Sequence, residues 1–442
     1  YGGGSTGEFA VPLTVTVDTG ATVTAVNGDT TLTATSVDGQ ANFILTSPGD
    51  WNIFAELEDT SGQTVISVQG PYSANITLRS QKTVCGVLWD MSSSSTQLTR
   101  LTPENDPNGY VTQTIGEEPS PAIGTVFGSS PFDTLFPWAG IYECNVDSNG
   151  LETYTQGEAG FSRTNYDTMV YIPKFYYKII LEETRFYYYV SDVAIQDFSE
   201  HPGSGKYVAR YNTIAGYYSK SEQPPLRSVT RSEVRTSSRT KGENWDIFDY
   251  STWCAIWLLY LVEFADWNSQ AKIGRGIVSV SSVMDNGGTD AMTYHTGRAS
   301  GIDGQVAIQY RHIENIWGNV YEWVDGININ NRVPFICTNP EFYADDTTTN
   351  YTSSNVSVAG TGYISSLGYS DDLPWAFLPN EGSGSEDTYI PDSVNSNVGY
   401  RILRTSGNWS YGDGSGMFYF YAGNSANDTS SAIGSRIICR KN

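Results

Sequence analysis

Short segments of alternating apolar and polar residues, separated by turn signals, fill the first 80 residues of the chain. Residues 13–17 are the clearest of these segments, and Asn27-Gly28 is a typical turn signal between two others. Strands of this length and spacing are typical of a small β-sandwich, because each strand buries every second side chain against the facing sheet. The predicted strands are residues 13–17, 22–26, 31–35, 42–45, 51–57 and 64–68. We therefore predict an all-β module over residues 1–80. The simplest function for this module is that of a spacer.

The following region, residues 81–160, is rich in turn-forming residues. Asp106-Pro107-Asn108-Gly109 is one example. Clusters of Asp, Asn and Gly can bind calcium, but the twelve-position ligand pattern of a calcium loop is missing, so plain turns are expected. This region is predicted to connect the β module to the next domain or to form the start of that domain.

Two helices are predicted in the remainder of the chain. Residues 251–270 carry an apolar band with Glu263 and Asp266 on the other face, and Ser251 or Thr252 can cap the helix. The apolar stretch is about half the length of a membrane span, so a core helix is expected. The second helix contains four arginines spaced by four residues, which places them on one face. We expect that face to be solvated and to pair with acidic residues; its members are Arg227, Arg231, Arg235 and Arg239.

The charge balance and the rarity of metal-binding residues exclude several function classes. The chain has 25 Lys and Arg against 48 Asp and Glu, a net charge of −23. Proteins that bind nucleic acids or anionic membrane surfaces need a positively charged surface, so neither is an expected partner. No membrane span is expected either. The three histidines are not spaced as a metal pair, and no CxxC motif occurs. No metal and no cofactor are predicted, and five distant cysteines do not make a disulfide framework.

Three phrases after residue 160 are distinctive together. They are residues 171–177, residues 313–324 with Gly-Asn-Val-Tyr-Glu-Trp at 318–323, and Gly-Tyr-Arg at 399–401 followed by Gly-Ser-Arg at 434–436. Gly-Asn-Val-Tyr-Glu-Trp and Gly-Tyr-Arg together resemble the formylglycine-generating-enzyme branch of the C-type lectin fold. The first 80 residues resemble the immunoglobulin-like modules of bacterial surface and phage tail proteins. The resemblance implies an α+β chain, with an immunoglobulin-like sandwich followed by a C-type lectin-like domain over residues 161–442.

The C-terminal tail, residues 404–432, mixes Asn with Ser, Tyr, Asp and Gly around aromatic residues such as Trp409. It resembles the variable region of proteins diversified by a retroelement, in which the adenines of Asn codons are randomised. Ser, Tyr and Gly are also typical of binding loops, because Tyr supplies contact area at low entropic cost and Ser and Gly adapt to the ligand. The predicted ligand-binding residues are Ser410, Tyr411, Asp413, Gly414, Tyr419, Tyr421, Gly423, Asp428, Ser430 and Ser431.

These resemblances imply an adhesin or receptor-binding protein on a phage tail, in the extracellular space or on a bacterial surface, whose ligand is a cell-surface protein or glycan. The alternatives are an oxidase related to the formylglycine-generating enzymes and a purely structural virion or surface protein. Those enzymes use a late, copper-binding cysteine pair, whereas Cys337 and Cys439 are far apart and outside the matching phrases. We therefore expect no enzymatic activity and no catalytic residue. The question of whether the chain forms a homo-oligomer stays open, because no heptad pattern specifies one.

Overall fold

The computed structural model describes residues 10–28, 30–57, 60–68, 72–75, 79–80 and 83–441. The chain divides into two compact units, Tyr1–Thr83 and Val84–Asn442.

The first unit is a β-sandwich of two sheets. One sheet has the strand order β4-β1-β7 and the other β3-β2-β5-β6-β8. Alternate side chains of both sheets, among them Leu13, Phe43 and Trp51, point into one shared core. All six predicted strands are present, so this prediction is confirmed, and the strands are β1 (Val11–Thr16), β2 (Thr22–Asn27), β3 (Thr30–Thr35), β4 (Gln40–Leu45), β5 (Gly49–Leu57), β6 (Thr60–Val68), β7 (Tyr72–Asn75) and β8 (Arg79–Ser80).

The second unit also consists mainly of short strands. Those of its first part are β9 (Val84–Asp90), β10 (Thr99–Arg100), β11 (Ala122–Ile123), β12 (Tyr142–Val146), β13 (Glu152–Thr155), β14 (Asp167–Ile172), β15 (Tyr176–Glu182), β16 (Arg185–Ser191), β17 (Ser199–Glu200), β18 (Lys206–Ala209) and β19 (Trp245–Ile247). The others are β20 (Gly297–Arg298), β21 (Ile308–Tyr310), β22 (Ile313–Glu314), β23 (Tyr321–Asn330), β24 (Val333–Ile336), β25 (Thr352–Ser353), β26 (Thr361–Ile364), β27 (Ser366–Leu367), β28 (Pro379–Glu381), β29 (Ile390–Ser396), β30 (Tyr400–Thr405), β31 (Phe420–Asn424), β32 (Ile433–Ser435) and β33 (Ile437–Arg440). The helices are α1 (Arg231–Arg239), α2 (Tyr250–Phe264) and α3 (Ser269–Ile273).

These strands form several sheets. A five-stranded sheet has the order β10-β9-β16-β15-β17, and a six-stranded sheet the order β13-β12-β14-β18-β33-β19. The largest sheet runs β25-β24-β23-β30-β31-β29-β26, with β32 pairing in parallel with β23. Two smaller sheets are β11-β20-β21-β22 and β27-β28. Strands from residues 81–160 thus pair with strands from later in the chain.

The predicted α+β fold class is wrong, because the chain is predominantly β. Strands account for 38% of the residues and helices for 10%, and the part of the chain that the structure describes contains three α-helices. The reason is local: Gly, Pro, Asn and Asp interrupt the sequence at short intervals, which leaves room for short strands but for few uninterrupted helical turns.

The predicted core helix is present as α2, although it ends at Phe264 and not at residue 270, and all of its side chains are buried. The predicted caps are wrong, because Asp249 is the N-cap and its carboxylate accepts a hydrogen bond from the Thr252 amide. The predicted polar face is also wrong. Glu263 is buried and forms an ion pair with Arg311, whose Nη2 lies 2.6 Å from Glu263 Oε1. No helix in the described part of the chain is long and apolar enough to cross a membrane.

The expectation of a solvated arginine face is wrong for α1. Arg231 is fully buried and Arg235 is nearly so. Arg235 Nε lies 2.5 Å from Asp325 Oδ2, and both arginines also pair with Asp345. The acidic partners were expected, but they come from segments that pack over the helix and exclude water from it.

Candidate functional site

The C-terminal tail is built onto one face of the largest sheet. In the antiparallel register, Trp323 of β23 lies opposite Arg404 of β30, and Arg404 lies opposite Tyr421 of β31. Directly opposed residues share a face, and so does Tyr321, two positions before Trp323. These four side chains therefore project to the same side of the sheet.

Gly-Asn-Val-Tyr-Glu-Trp, Gly-Tyr-Arg and Gly-Ser-Arg meet at this sheet, where Tyr400 lies opposite Asn330 of β23. The Gly318 amide donates to the Ser406 carbonyl at 2.9 Å, and the Trp409 amide donates to the Asn319 carbonyl at 3.1 Å. The Ser435 hydroxyl donates to the Trp323 carbonyl at 2.9 Å. The phrase at residues 318–323 therefore supports both the start of the tail and its end.

A buried ion pair joins the phrases at their centre. Glu322 Oε1 lies 2.8 Å from Arg436 Nη2, and both side chains are fully buried. Burial raises the pKa of Glu322, and the charge of Arg436 opposes that rise. Asn212 donates to the same carboxylate at 2.6 Å, and Arg436 also donates to main-chain carbonyls, among them that of Ala209. Because each charged group is saturated with partners, the pair fixes β23 against the chain end.

A cluster of tyrosines forms the floor of the tail. Tyr419 is completely buried, and its ring stacks on Tyr321 at 5.8 Å between centroids and lies nearly parallel to Tyr421 at 6.4 Å. Tyr411 stands edge-on against Tyr419 at 4.9 Å and is 38% exposed. We call Tyr321, Trp323 and Tyr419, all buried, the aromatic floor.

The tail loop above the floor is held by its backbone. The Tyr411 amide donates to the Asn408 carbonyl, and the Gly412 amide donates to the Val278 carbonyl, both at 3.1 Å. Gly407 has a φ of +75°, and a Cβ there would lie 2.0 Å from Ser415 Oγ. These bonds involve main-chain groups only, so they do not require particular side chains at Tyr411 and Gly412.

The predicted ligand-binding residues occupy three environments. Tyr421, Gly423 and Asp428 are half-buried, and Gly414 and Tyr419 are buried. Five predicted residues are exposed, and we call them the display surface: Ser410, Tyr411, Asp413, Ser430 and Ser431.

The structure places Gly414 and Tyr419 inside, where they are out of reach of a ligand. Tyr419 belongs to the buried run at residues 414–420 and supports Tyr411 from below. A Cβ on Gly414 would lie 2.3 Å from Ser393 Oγ, so a larger residue would clash. Asp428 braces its own loop, because its carboxylate accepts hydrogen bonds from the Asn424 side chain and the Ser425 amide, which lower its pKa.

Sequence reasoning assigned no role at the display surface to two arginines beside it, and it placed one of them, Arg227, on a helix that in fact begins at Arg231. The Arg404 guanidinium lies between two rings, with its carbon 3.9 Å from the centroids of both Tyr321 and Tyr421. Arg227 lies over the Trp409 ring at 5.9 Å and donates to the Ser431 carbonyl at 2.8 Å. The position of Arg404 at the start of the variable-like tail was the only available signal.

Two histidines also lie close together in the fold, although no spacing motif in the sequence relates them. His295 Nε2 lies 3.0 Å from Asp133 Oδ1, His312 Nδ1 lies 3.5 Å from Glu143 Oε2, and the two ring centroids are 5.5 Å apart. Burial lowers the pKa of His312 to about 4 and lowers that of His295, so both are neutral at pH 7. Within the described residues, no group of three or more His, Cys, Asp or Glu side chains could hold a metal ion.

Cys337 and Cys439, on which the oxidase alternative rests, are free thiols in separate hydrophobic clusters. Burial raises the pKa of Cys439 to about 12 and also raises that of Cys337. The thiolate is the form that attacks substrates or binds metals, so both residues have the environment of structural cysteines.

A buried carboxyl lies beneath the tail and predicts a pH dependence. Asp392 accepts a hydrogen bond from the Phe418 amide at 2.7 Å, and burial raises its pKa from 3.8 to about 8. Between these values the folded state binds a proton that the unfolded state has lost. Stability from this group is therefore fully present below pH 3.8 and is lost as the pH rises through 8.

Replacing Asp392 with asparagine should remove this loss, since the amide has the same shape and still accepts the Phe418 hydrogen bond. We expect the variant to gain stability over the parent by about 1 kcal/mol for each pH unit between pH 5 and 8. Urea unfolding at several pH values measures the difference. If the free energies of unfolding of the two proteins changed with pH in parallel, the conclusion that Asp392 is a neutral carboxyl would be refuted.

Comparisons with known proteins identify no family. No protein-family model matches the chain, and no curated protein matches it. Among solved structures, the chain is similar to one described as "Major Tropism Determinant I1 Variant", at 9% sequence identity over 90% of this chain and 82% of that chain, with a TM-score of 0.25. This likeness establishes neither fold nor family, so the C-type lectin and immunoglobulin-like assignments stay predictions and the function rests on the site.

Proposed function

We propose that the chain is a non-enzymatic receptor-binding protein, carried on a phage tail or a cell surface, and that it binds a cell-surface ligand through the display surface. The observation that carries this proposal is the separation between exposed side chains, which can contact a ligand, and buried side chains, which stabilise the fold. Exposed Ser, Tyr and Asp side chains come from two loops, while the aromatic floor and the Glu322–Arg436 pair hold those loops from below.

The display surface contributes little to the fold that carries it. Asp413 pairs with Arg275 at the surface, where an ion pair contributes at most about 1 kcal/mol. Ser430 accepts one local hydrogen bond from the Ala432 amide at 3.2 Å. Such side chains can be exchanged at small cost to stability, which typically lies within about 0.5 kcal/mol for surface positions.

Retroelement diversification of these positions is part of the proposal. Ser, Tyr and Asp, which form the display surface, are all reached from an Asn codon of the AAC type by changes at its adenines. A near-copy of the tail's coding DNA, beside a reverse transcriptase gene and differing only at adenines, would support diversification. Mismatches at all four bases would contradict it.

Binding to whole cells tests the function. Fluorescently labelled protein is incubated with a panel of bacterial strains, in parallel with a variant that carries Ser410→Ala, Tyr411→Ala and Ser430→Ala. We expect the parent to bind a subset of strains and the variant to lose at least tenfold in affinity, because an aromatic anchor typically supplies 2 kcal/mol or more. A control with exposed Tyr166→Ala, outside the tail, should bind like the parent.

The rival functions predict other outcomes. A purely structural protein would bind no strain, or would bind equally well with the triple substitution. An oxidase would lose activity on Cys337→Ser and Cys439→Ser, whereas a binding protein should keep its cell binding with both substitutions. Either of the rival results would overturn the proposal.

A further inference from the structure

Arg404 differs from three arginines that bind residues of β23. Arg231, Arg235 and Arg436 each pair with a carboxylate. In the part of the chain that the structure describes, Arg404 forms no ion pair, and its buried Nε has no hydrogen-bond partner. A guanidinium is always charged. Because Nε is the buried nitrogen of this side chain, its terminal Nη atoms are the donors that a ligand can reach.

The surroundings of Arg404 fix its orientation. Tyr321 and Tyr421 cover its two faces at 3.9 Å, so the edge that carries its nitrogen donors is the part left for a partner. Two stacked rings reduce the rotamer freedom of the side chain before any ligand arrives, which lowers the entropic cost of binding. Arg227, above Trp409, is a second cation at the same surface.

We infer that Arg404 is an anion-recognition centre of the display surface, and that it receives the carboxylate of an Asp or Glu side chain from a protein ligand. This inference rests on the proposed function and names the partner class of the same site. Carboxylates match the planar fork of arginine with two parallel hydrogen bonds.

The charge of the whole chain favours a protein over a polyanionic glycan as the ligand. With a net charge of −23, the chain repels a polymer that carries an acid in every repeat. A single carboxylate on an otherwise neutral or basic protein surface avoids that repulsion and still reaches Arg404.

Selection from a random peptide library displayed on phage tests the inference with the full chain as bait. Peptides are kept when their binding is lost on Tyr411→Ala, which restricts them to the display surface. We expect these peptides to be enriched in Asp or Glu at one position, and to bind Arg404→Gln at least tenfold more weakly, since removing one partner of a desolvated charge pair costs at least that much. Arg404→Lys keeps the charge but not the fork, so a several-fold loss is expected.

Arg401→Gln is the matched control, because Arg401 lies on the same strand and also has a buried Nε without a partner, but stacks on no aromatic ring of the described residues. It should leave peptide affinity unchanged. Melting temperatures confirm folding of each variant, and Arg404→Lys serves as the test if Arg404→Gln does not fold.

The remaining outcomes separate the two proposals. Peptides that depend on Tyr411 but show no acidic preference would overturn the role of Arg404 and leave the proposed function intact. A complete absence of peptides that depend on Tyr411 would count against both. In a parallel glycan panel, binding of sialylated glycans that depends on Arg404, without acidic peptides, would overturn the choice of a protein ligand.

Discussion

Replacing Glu322 with alanine is expected to destabilise the second unit by about 3–5 kcal/mol, the typical cost of leaving one member of a buried ion pair alone. Arg436 would keep a fully buried charge and its main-chain partners but would lose its only carboxylate partner in the described structure. Because whole domains are stable by about 5–15 kcal/mol, the loss should be visible as a large drop in the urea midpoint.

A double-substitution cycle controls this first prediction. Glu322→Met and Arg436→Met are measured singly and together, and the double variant should lose less stability than the sum of the two single losses, because no uncompensated charge stays buried. Additive losses in the double variant would show that the two residues act independently and would contradict the coupling of the chain end to β23. If Glu322→Ala does not fold, Glu322→Gln, which keeps the hydrogen-bond acceptor, provides the comparison.

Tyr419→Ala is expected to cost about 3–5 kcal/mol, as is typical of removing a buried aromatic ring. Tyr419 is fully buried and packs against both Tyr321 and Tyr421, so its loss leaves a cavity under the tail. Tyr411→Ala removes an exposed ring and should change stability by less than about 1 kcal/mol. Thermal and urea unfolding of both variants measure the contrast.

Tyr419→Phe is the matched control, since it keeps the ring and should cost less than about 1.5 kcal/mol. The variants Tyr419→Ala and Tyr411→Ala also separate stability from binding. Tyr411→Ala should lose cell binding at full stability. Equal destabilisation by Tyr419→Ala and Tyr411→Ala would contradict the division between the aromatic floor and the display surface.

Elements specified by local patterns could be predicted from the sequence. The strands of the first unit follow an alternation that each segment carries by itself, and α2 follows a dense apolar run. Its cap at Asp249 was missed because Ser251 and Thr252 are equally good caps on composition alone. The fold class was missed because two conspicuous helices in the sequence outweighed many short strands with weak individual signals.

The site could be predicted only in part, because burial depends on residues far away in the chain. Tyr411 and Tyr419 are the same residue type in the same tail and both contact Tyr321, yet Tyr419 is completely buried and Tyr411 is 38% exposed. Likewise, Arg231 looks like a surface residue until Asp325 and Asp345 from distant segments enclose it. Sequence spacing carries no information about such contacts.

Unfolding temperatures of a library randomised at the five display-surface positions test the central claim most directly. The account predicts that most variants unfold cooperatively within a few degrees of the parent, since a surface change of about 0.5 kcal/mol shifts the midpoint only slightly. A matched library randomised at the aromatic floor should lose folding in most members. Widespread unfolding in the first library would contradict the claim that these side chains are exchangeable.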